Sequence, residues 1–197
     1  MNIKEKSLAV LSLYKELEAE ATKYASEGGL SCLSGCGFCC ANPKIPATIL
    51  EFLPLAFELY EKGAAEASLR IIESNPESNC ILYRTQDPEG KSGYCSGYAY
   101  RGMICRLFGA SARRSKSGSK ELITCKILKS EKQAEYLKVS EQINQSLEVP
   151  MATAYYSYLR DIDASLCEER TVNEAIRLAL ELVLRYKFYE EGELAAD

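Results

Sequence analysis

The sequence predicts a mostly α-helical fold: a helical bundle enclosing a small, irregular, cysteine-rich metal-binding core with one or two short strand pairs. Three observations carry that reading. Stretches toward both ends repeat apolar residues at spacings of three and four, the period of a one-sided helix. The middle of the chain lacks that period and is punctuated by Gly and Pro. Four cysteines, Cys32, Cys36, Cys39 and Cys40, fall within nine residues of a chain that has no histidine at all.

The elements follow in order. Val10, Tyr14, Leu17, Ala21 and Tyr24 share one face of a predicted helix over residues 3–27, and Gly28-Gly29 can stop it. The first four cysteines then fall in a loop with Gly35 and Gly37 between them, where glycine lets backbone fold around an ion and turn N–H groups toward sulfur. Pro43 and Pro46 end that loop. Thr48 precedes Glu51 by three residues, a capping-box pattern, so a helix is predicted over 49–62, closed by Gly63. A shorter helix over 64–73 is broken by Asn75-Pro76. Residues 80–110 read as irregular, with a short strand at Ile81–Arg84, a turn at Asp87-Pro88-Glu89-Gly90 and a return through Tyr94-Cys95. Tyr100 to Phe108 offers one or two helical turns carrying Cys105. Residues 111–120 read as a Ser/Gly/Arg/Lys loop whose Arg113, Arg114, Lys116 and Lys120 are solvated rather than phosphate-binding. A second short strand over Leu122–Lys126 would carry Cys125.

Three more helices are predicted after that. One spans 131–147. One spans 151–167, with Tyr155, Leu159, Ile162 and Leu166 aligned. The last runs to about residue 190 behind a Thr171–Glu174 capping box, with Ile176, Ala179, Val183 and Tyr186 on one face. The division that results is an N-terminal helix (1–29), a cysteine-rich core (30–127) and a helical region packed on it (128–197).

Composition narrows the function classes. Hydrophobic residues make up 47% of the chain, enough for a core, and the net charge of −4 with a pI near 5.2 leaves no basic field for nucleic acid. No run approaches the roughly 18 apolar residues of a membrane helix, and the charged N-terminus does not read as a secretory signal. No membrane partner is expected, and the cytoplasm is the default compartment. Thiols stay reduced there, and nine is an odd number of cysteines, so metal ligation outranks a disulfide framework. No protein partner is legible.

Spacing decides what the thiols can do. Cys36 and Cys39 form the short C-x2-C chelate, with Cys32 one small loop earlier. Adjacent Cys39 and Cys40 are expected to point apart, one toward a metal and the other toward a second site. Four more thiols follow at Cys80, Cys95, Cys105 and Cys125. Eight thiolates allow two four-sulfur sites, a cluster plus an ion, or one site plus structural cysteines. Cys167, alone in a predicted helix, reads as a buried structural thiol. Without imidazole the metal is zinc or iron, and crowding in one loop leans slightly toward an iron–sulfur cluster. A thioredoxin-like role is disfavoured because no βαβ unit precedes the C-x-x-C.

The pattern Cys32-x3-Cys36-x2-Cys39-Cys40, then Cys80, Cys95, Cys105-Arg106 and Cys125, resembles the zinc- or iron-chelating proteins of the CxxCxxCC type. The middle segment, Cys95-Ser-Gly-Tyr98-Ala-Tyr100-Arg101-Gly102-Met-Ile-Cys105-Arg106, matches that family's Arg, Cys-Arg and aromatic positions, with Gly102 where the family usually has proline. The resemblance covers about residues 30–127. It implies eight candidate ligands, Cys32, Cys36, Cys39, Cys40, Cys80, Cys95, Cys105 and Cys125. Arg101 and Arg106 are placed to offset the thiolate charge of the bound group.

An enzymatic alternative stands beside this one. Cys32-x3-Cys36-x-Phe38-Cys39 also fits the C-x3-C-x-aromatic-C loop of radical S-adenosylmethionine enzymes, and the chelating family is similar to proteins described as flagellin lysine N-methylases. The loop here follows a predicted helix, whereas in those radical enzymes it follows a strand in a β/α repeat. The helical, noncatalytic metal-binding reading therefore comes first.

Overall fold

A computed structural model of the chain describes residues 1–87 and 92–194. Among them are eight α-helices and three two-stranded antiparallel sheets. The order is α1 (Ile3–Gly28), β1 (Pro46–Thr48), α2 (Leu53–Glu61), α3 (Ala65–Ser74), β2 (Tyr83–Thr85), β3 (Gly93–Cys95), α4 (Met103–Leu107), β4 (Ala112–Arg114), β5 (Lys120–Leu122), α5 (Lys126–Glu131), α6 (Gln133–Gln142), α7 (Ala152–Asp163), β6 (Glu169–Thr171) and α8 (Val172–Leu194). The mostly helical fold is the predicted one. The chain divides into two compact units, the first made of Met1–Leu11, Gly35–Gly102 and Leu159–Asp197, the second of Ser12–Ser34 and Met103–Tyr158.

The first unit is built on α8. Val172, Ala175, Ile176, Ala179, Leu180 and Val183 recur at helical spacing, and all six are buried. Helices α2 and α3 pack against α8, burying Leu53, Leu55, Ala56 and Ile72. Each fully buried Leu, Ile or Val there contributes roughly 1.5–3 kcal/mol.

The entry to α2 differs from the predicted helix over 49–62. Residues Pro46–Thr48 are a strand, β1, paired with β6 so that Pro46 faces Thr171 and Thr48 faces Glu169. A single 3-10 turn, Leu50–Phe52, leads into α2. Pro54 has no N–H to offer a preceding turn, so the regular helix begins around it. The capping box forms by half. The Thr48 N–H donates to Glu51 Oε1 at 2.9 Å, while Thr48 Oγ1 is buried with no hydrogen-bond partner among the described residues. Strand β6 has no sequence signature, because three residues of Glu-Arg-Thr carry no alternation.

The second unit gathers Tyr24, Leu30, Ala112, Leu128, Val139 and Ile143 into one apolar cluster. The stretch predicted as a loop over 111–120 is a β-hairpin, β4–β5, with Arg113 opposite Glu121 and Arg114 opposite Lys120. Its polar side chains mask the strands, and Ala112, fully buried, is its apolar anchor. Cys125 is not on a strand as predicted. It is the N-cap of α5, its Sγ accepting the Leu128 N–H at 3.3 Å. The helix predicted over 151–167 ends at Asp163, whose carboxylate accepts the Ser165 N–H and caps a 3-10 turn at Ala164–Leu166. The turn predicted at Asp87–Gly90 falls largely on residues 88–90, outside the described residues.

Candidate metal centre

The cysteine loop and the β2–β3 hairpin form one local structure within the first unit. Cys36 bridges to Ser92, and the Gly93 N–H donates to Gly35 O at 3.1 Å, so the loop lies along β3. The Cys80 N–H donates to Cys40 O at 3.2 Å. Across the hairpin, Tyr83 stands opposite Cys95, and the Asp87 carboxylate accepts the Ser92 N–H. These bonds gather segments 36–40, 80 and 95, which are far apart in sequence.

Two glycines allow the close approach. A Cβ at Gly37 would stand 2.3 Å from the Tyr83 ring, and one at Gly93 would stand 2.5 Å from it. The ring therefore lies against two bare backbones, and its hydroxyl donates to Ser92 O at 3.0 Å. Gly35 has a different task. Its φ of 71° is the left-handed turn that starts the knuckle, a conformation L side chains resist. The sequence assigned Gly35 and Gly37 one common role and missed Tyr83, because a ring-to-glycine contact across so many residues leaves no local pattern.

The thiols differ in their electrostatics. A hydrogen bond from the Cys40 thiol lowers the Cys39 pKa to about 6, aided by N–H groups of Cys39 and Cys40 and by the Arg101 charge, against burial. Burial pushes Cys80 up to about 11, although the N–H groups of Leu82 and Tyr83 favour its thiolate. Burial also raises Cys95, opposed by the Gly97 N–H and the charges of Arg101 and Arg84. Cys95 senses the charge of Cys39, and Cys80 that of Cys95. Cys39 and Cys40, expected to face apart, are instead in hydrogen-bond contact.

Of Arg101 and Arg106, Arg101 is the one whose charge reaches these thiols, its guanidinium 3.8 Å over the Tyr98 ring. Its φ of −59° and ψ of 144° suit a residue that precedes proline. Gly102 follows, and a Cβ there would stand 2.7 Å from Phe52 Cζ and 3.1 Å from Glu51 Oε2. Phe52 thus fills the room a larger residue would need at that position.

The other sequence candidates belong to the second unit. Cys32 is exposed, and Cys105 on α4 is half-buried. Cys125 is half-buried against the apolar cluster around Leu128. Arg106 is buried, its Nη1 2.5 Å from Glu18 Oε2 and its guanidinium 4.3 Å over the Tyr14 ring. That is the ordinary carboxylate pairing, with a stacked aromatic added. Among the described residues none of the nine cysteines is in a disulfide. Nor, among them, are three or more Cys, Asp or Glu side chains arranged as a ligand shell. Coordination in the first unit therefore requires thiol side chains to rotate from these positions.

The donor chemistry fits a thiophilic cation. Every candidate ligand is sulfur, N–H groups already favour thiolate at Cys39, Cys80 and Cys95, and the burial that penalises an isolated thiolate is offset when the anion binds a cation. No curated protein and no solved structure matches the chain significantly. The family model CxxCxxCC, described as a putative zinc- or iron-chelating domain, matches residues 31–138. That match spans more than half of the chain and takes in all eight candidate thiols, and the protein belongs to the CxxCxxCC family.

Proposed function

We propose that this protein binds a single zinc or iron ion through thiolates of the first unit, with Cys39, Cys40, Cys80 and Cys95 as the ligand set. The observation that carries this is the contact between the Cys39 and Cys40 sulfurs, with Cys95 and Cys80 within electrostatic reach. Bonds of roughly 2.3 Å in a tetrahedral thiolate site put ligand sulfurs about 3.8 Å apart. In a four-iron cluster each cysteine goes to a different iron, which separates the sulfurs further. Cys36, which shares the C-x2-C chelate, is the alternative to Cys40. Arg101 offsets the charge that four thiolates leave on a divalent ion. Cys32, Cys105 and Cys125 are the candidates for a second ion.

The ion supplies cross-linking of segments with little regular structure of their own. Cys80, Cys95 and the 36–40 loop would each gain a fixed partner, so binding free energy becomes folding free energy. The S-adenosylmethionine reading gains no supporting observation, since the loop follows α1 and no β/α repeat appears among the described residues.

Anaerobic purification from medium supplemented with zinc and iron, followed by elemental and acid-labile sulfide analysis, tests the proposal. One zinc or one iron per chain without sulfide is the expected result. Sulfide equimolar with iron, and a brown protein absorbing near ~400 nm as iron–sulfur clusters do, would replace the single ion by a cluster. A chain that retains neither metal overturns the proposal.

A further inference from the structure

We propose that Asn173, in the first turn of α8 and outside the family-matched residues, is the positioning residue for Cys80. The inference rests on the metal-site reading above. Asn173 is only 3% exposed. Its Oδ1 accepts the Ile81 N–H at 2.9 Å. Its Nδ2 donates to Ser78 O at 3.0 Å and Asn79 O at 3.1 Å, with Ser78 Oγ at 3.3 Å. One amide thus grips the backbone on both sides of Cys80.

The segment's other ties come mostly from the adjoining hairpin: the Tyr83 N–H donates to Cys80 O at 2.8 Å, Arg84 Nη1 to Ile81 O at 2.7 Å and the Ser96 N–H to Leu82 O at 2.8 Å. Residues 78–82 lie between the end of α3 and the start of β2, with no helix or strand of their own. The Cys80 N–H goes to Cys40 O, so with Asn173 in place the backbone around Cys80 is tied from several directions. Asn173 is rigid in turn, because its neighbours Val172, Ala175 and Ile176 are buried in the apolar stripe of α8. Its side chain needs an acceptor and two donors on one short planar group. Among small side chains only asparagine has that set: aspartate lacks the donors, and serine lacks the reach. A group that orients a ligand without touching the metal typically changes metal affinity about 10–100-fold.

The test uses the full-length chain, reduced and anaerobic, as wild type, Asn173→Ala and Asn173→Asp. Cobalt(II) titration read by the thiolate-to-metal charge-transfer band gives affinity. Iodoacetamide alkylation of the metal-free protein, resolved by peptide mass spectrometry, gives the rate at Cys80 relative to Cys167, a half-buried thiol of the same unit. The expected result for Asn173→Ala is about 10–100-fold weaker cobalt binding and faster alkylation at Cys80 with Cys167 unchanged. Asn173→Asp, which keeps the acceptor for the Ile81 N–H, should fall between, and it serves if the alanine variant does not fold. Unchanged affinity and unchanged Cys80 protection overturn the inference. So does a parallel rise at both thiols, the mark of general destabilisation. If the wild type takes up no cobalt while Cys80 alone becomes reactive in the variant, the metal reading falls and the positioning role stands.

Discussion

Cys80 and Cys167 are half-buried thiols of the same unit, and burial pushes both up to about 11. Their hydrogen bonds run in opposite directions. The Cys80 sulfur accepts from the N–H groups of Leu82 and Tyr83. The Cys167 thiol donates to Asp163 O at 3.2 Å. A donating thiol needs its proton, whereas an accepting sulfur is stabilised as the anion. The surroundings differ in the same sense. Cys167 ends a 3-10 turn capped by Asp163, while Cys80 sits in backbone without regular structure, tied to the cysteine loop. Burial alone therefore does not separate the proposed ligand from a packing cysteine, whereas the polarity of the hydrogen bonds does.

The largest effect that would test this contrast is metal removal. Metal should add several kcal/mol to the folding of the region around Cys80. Verified chelation under reducing conditions should then lower the melting temperature by about 10 °C or more, at roughly 2–4 °C per kcal/mol for a chain of this size. An unchanged melting curve after complete removal would refute the metal-stabilised picture. Next comes the pair of serine variants. Cys80→Ser should lose most bound metal, because a hydroxyl stays protonated and ligates poorly at neutral pH. Cys167→Ser should keep its metal and move the melting temperature by no more than about 2–4 °C. Equal metal contents in the two variants would erase the distinction drawn from their hydrogen bonds.

A smaller effect is expected at the glycines that admit Tyr83. Gly37→Ala places a methyl 2.3 Å from the ring, an overpacking cost of about 1–3 kcal/mol. Tyr83→Ala should relieve it, giving a double variant more stable than the two single costs added together. Gly93→Ala is the control, since its Cβ also meets the Arg84 carbonyl oxygen at 2.4 Å and backbone cannot step aside. Calorimetric melting of the four variants reads the coupling. A double variant whose cost equals the sum would mean that Tyr83 does not set the limit at Gly37.

These effects mark where the sequence was legible. Helical periodicity located α1 and α8 closely, because one-sided burial writes itself into residue spacing. The family pattern and the absence of histidine pointed to sulfur ligation by residue type alone. Strands β4, β5 and β6 were not legible, since three-residue strands with polar side chains exist only by virtue of their partners. The same reason hid Tyr83 and the N-cap role of Cys125. Both depend on where backbone N–H groups and bare glycines arrive in space, and neither leaves a local period. Arg101 and Arg106 looked equivalent in sequence, yet Glu18 and Tyr14 engage Arg106, while Arg101 bears on Cys39 and Cys95.

Acid separates the two regions most finely. Hydrogen bonds from Lys6 and Ser165 hold the Asp163 carboxyl down at about 2, below its ordinary 3.8, and Lys6 Nζ lies 2.6 Å from Asp163 Oδ2. A depressed carboxyl stabilises the fold fully above its unfolded pKa, and the contribution is lost as pH falls through the folded value. The Cys167 turn should therefore weaken between about pH 4 and pH 2. The contribution is small, about 1 kcal/mol, because solvent reaches the pair. With the proposed ligation around Cys80, protons and metal compete for the same sulfurs, so lowering the pH should release the ion. With Cys39 lowered only to about 6 and Cys80 and Cys95 raised, release should precede the Asp163 step. Acid titration of the loaded protein should show metal loss first and a second, small loss of stability below it. Asp163→Asn should abolish only the second step and leave the pH of metal release in place. If that variant shifts the release instead, the Cys167 turn and the Cys80 segment are not energetically separate, and hydrogen-bond polarity would no longer suffice to tell their thiols apart.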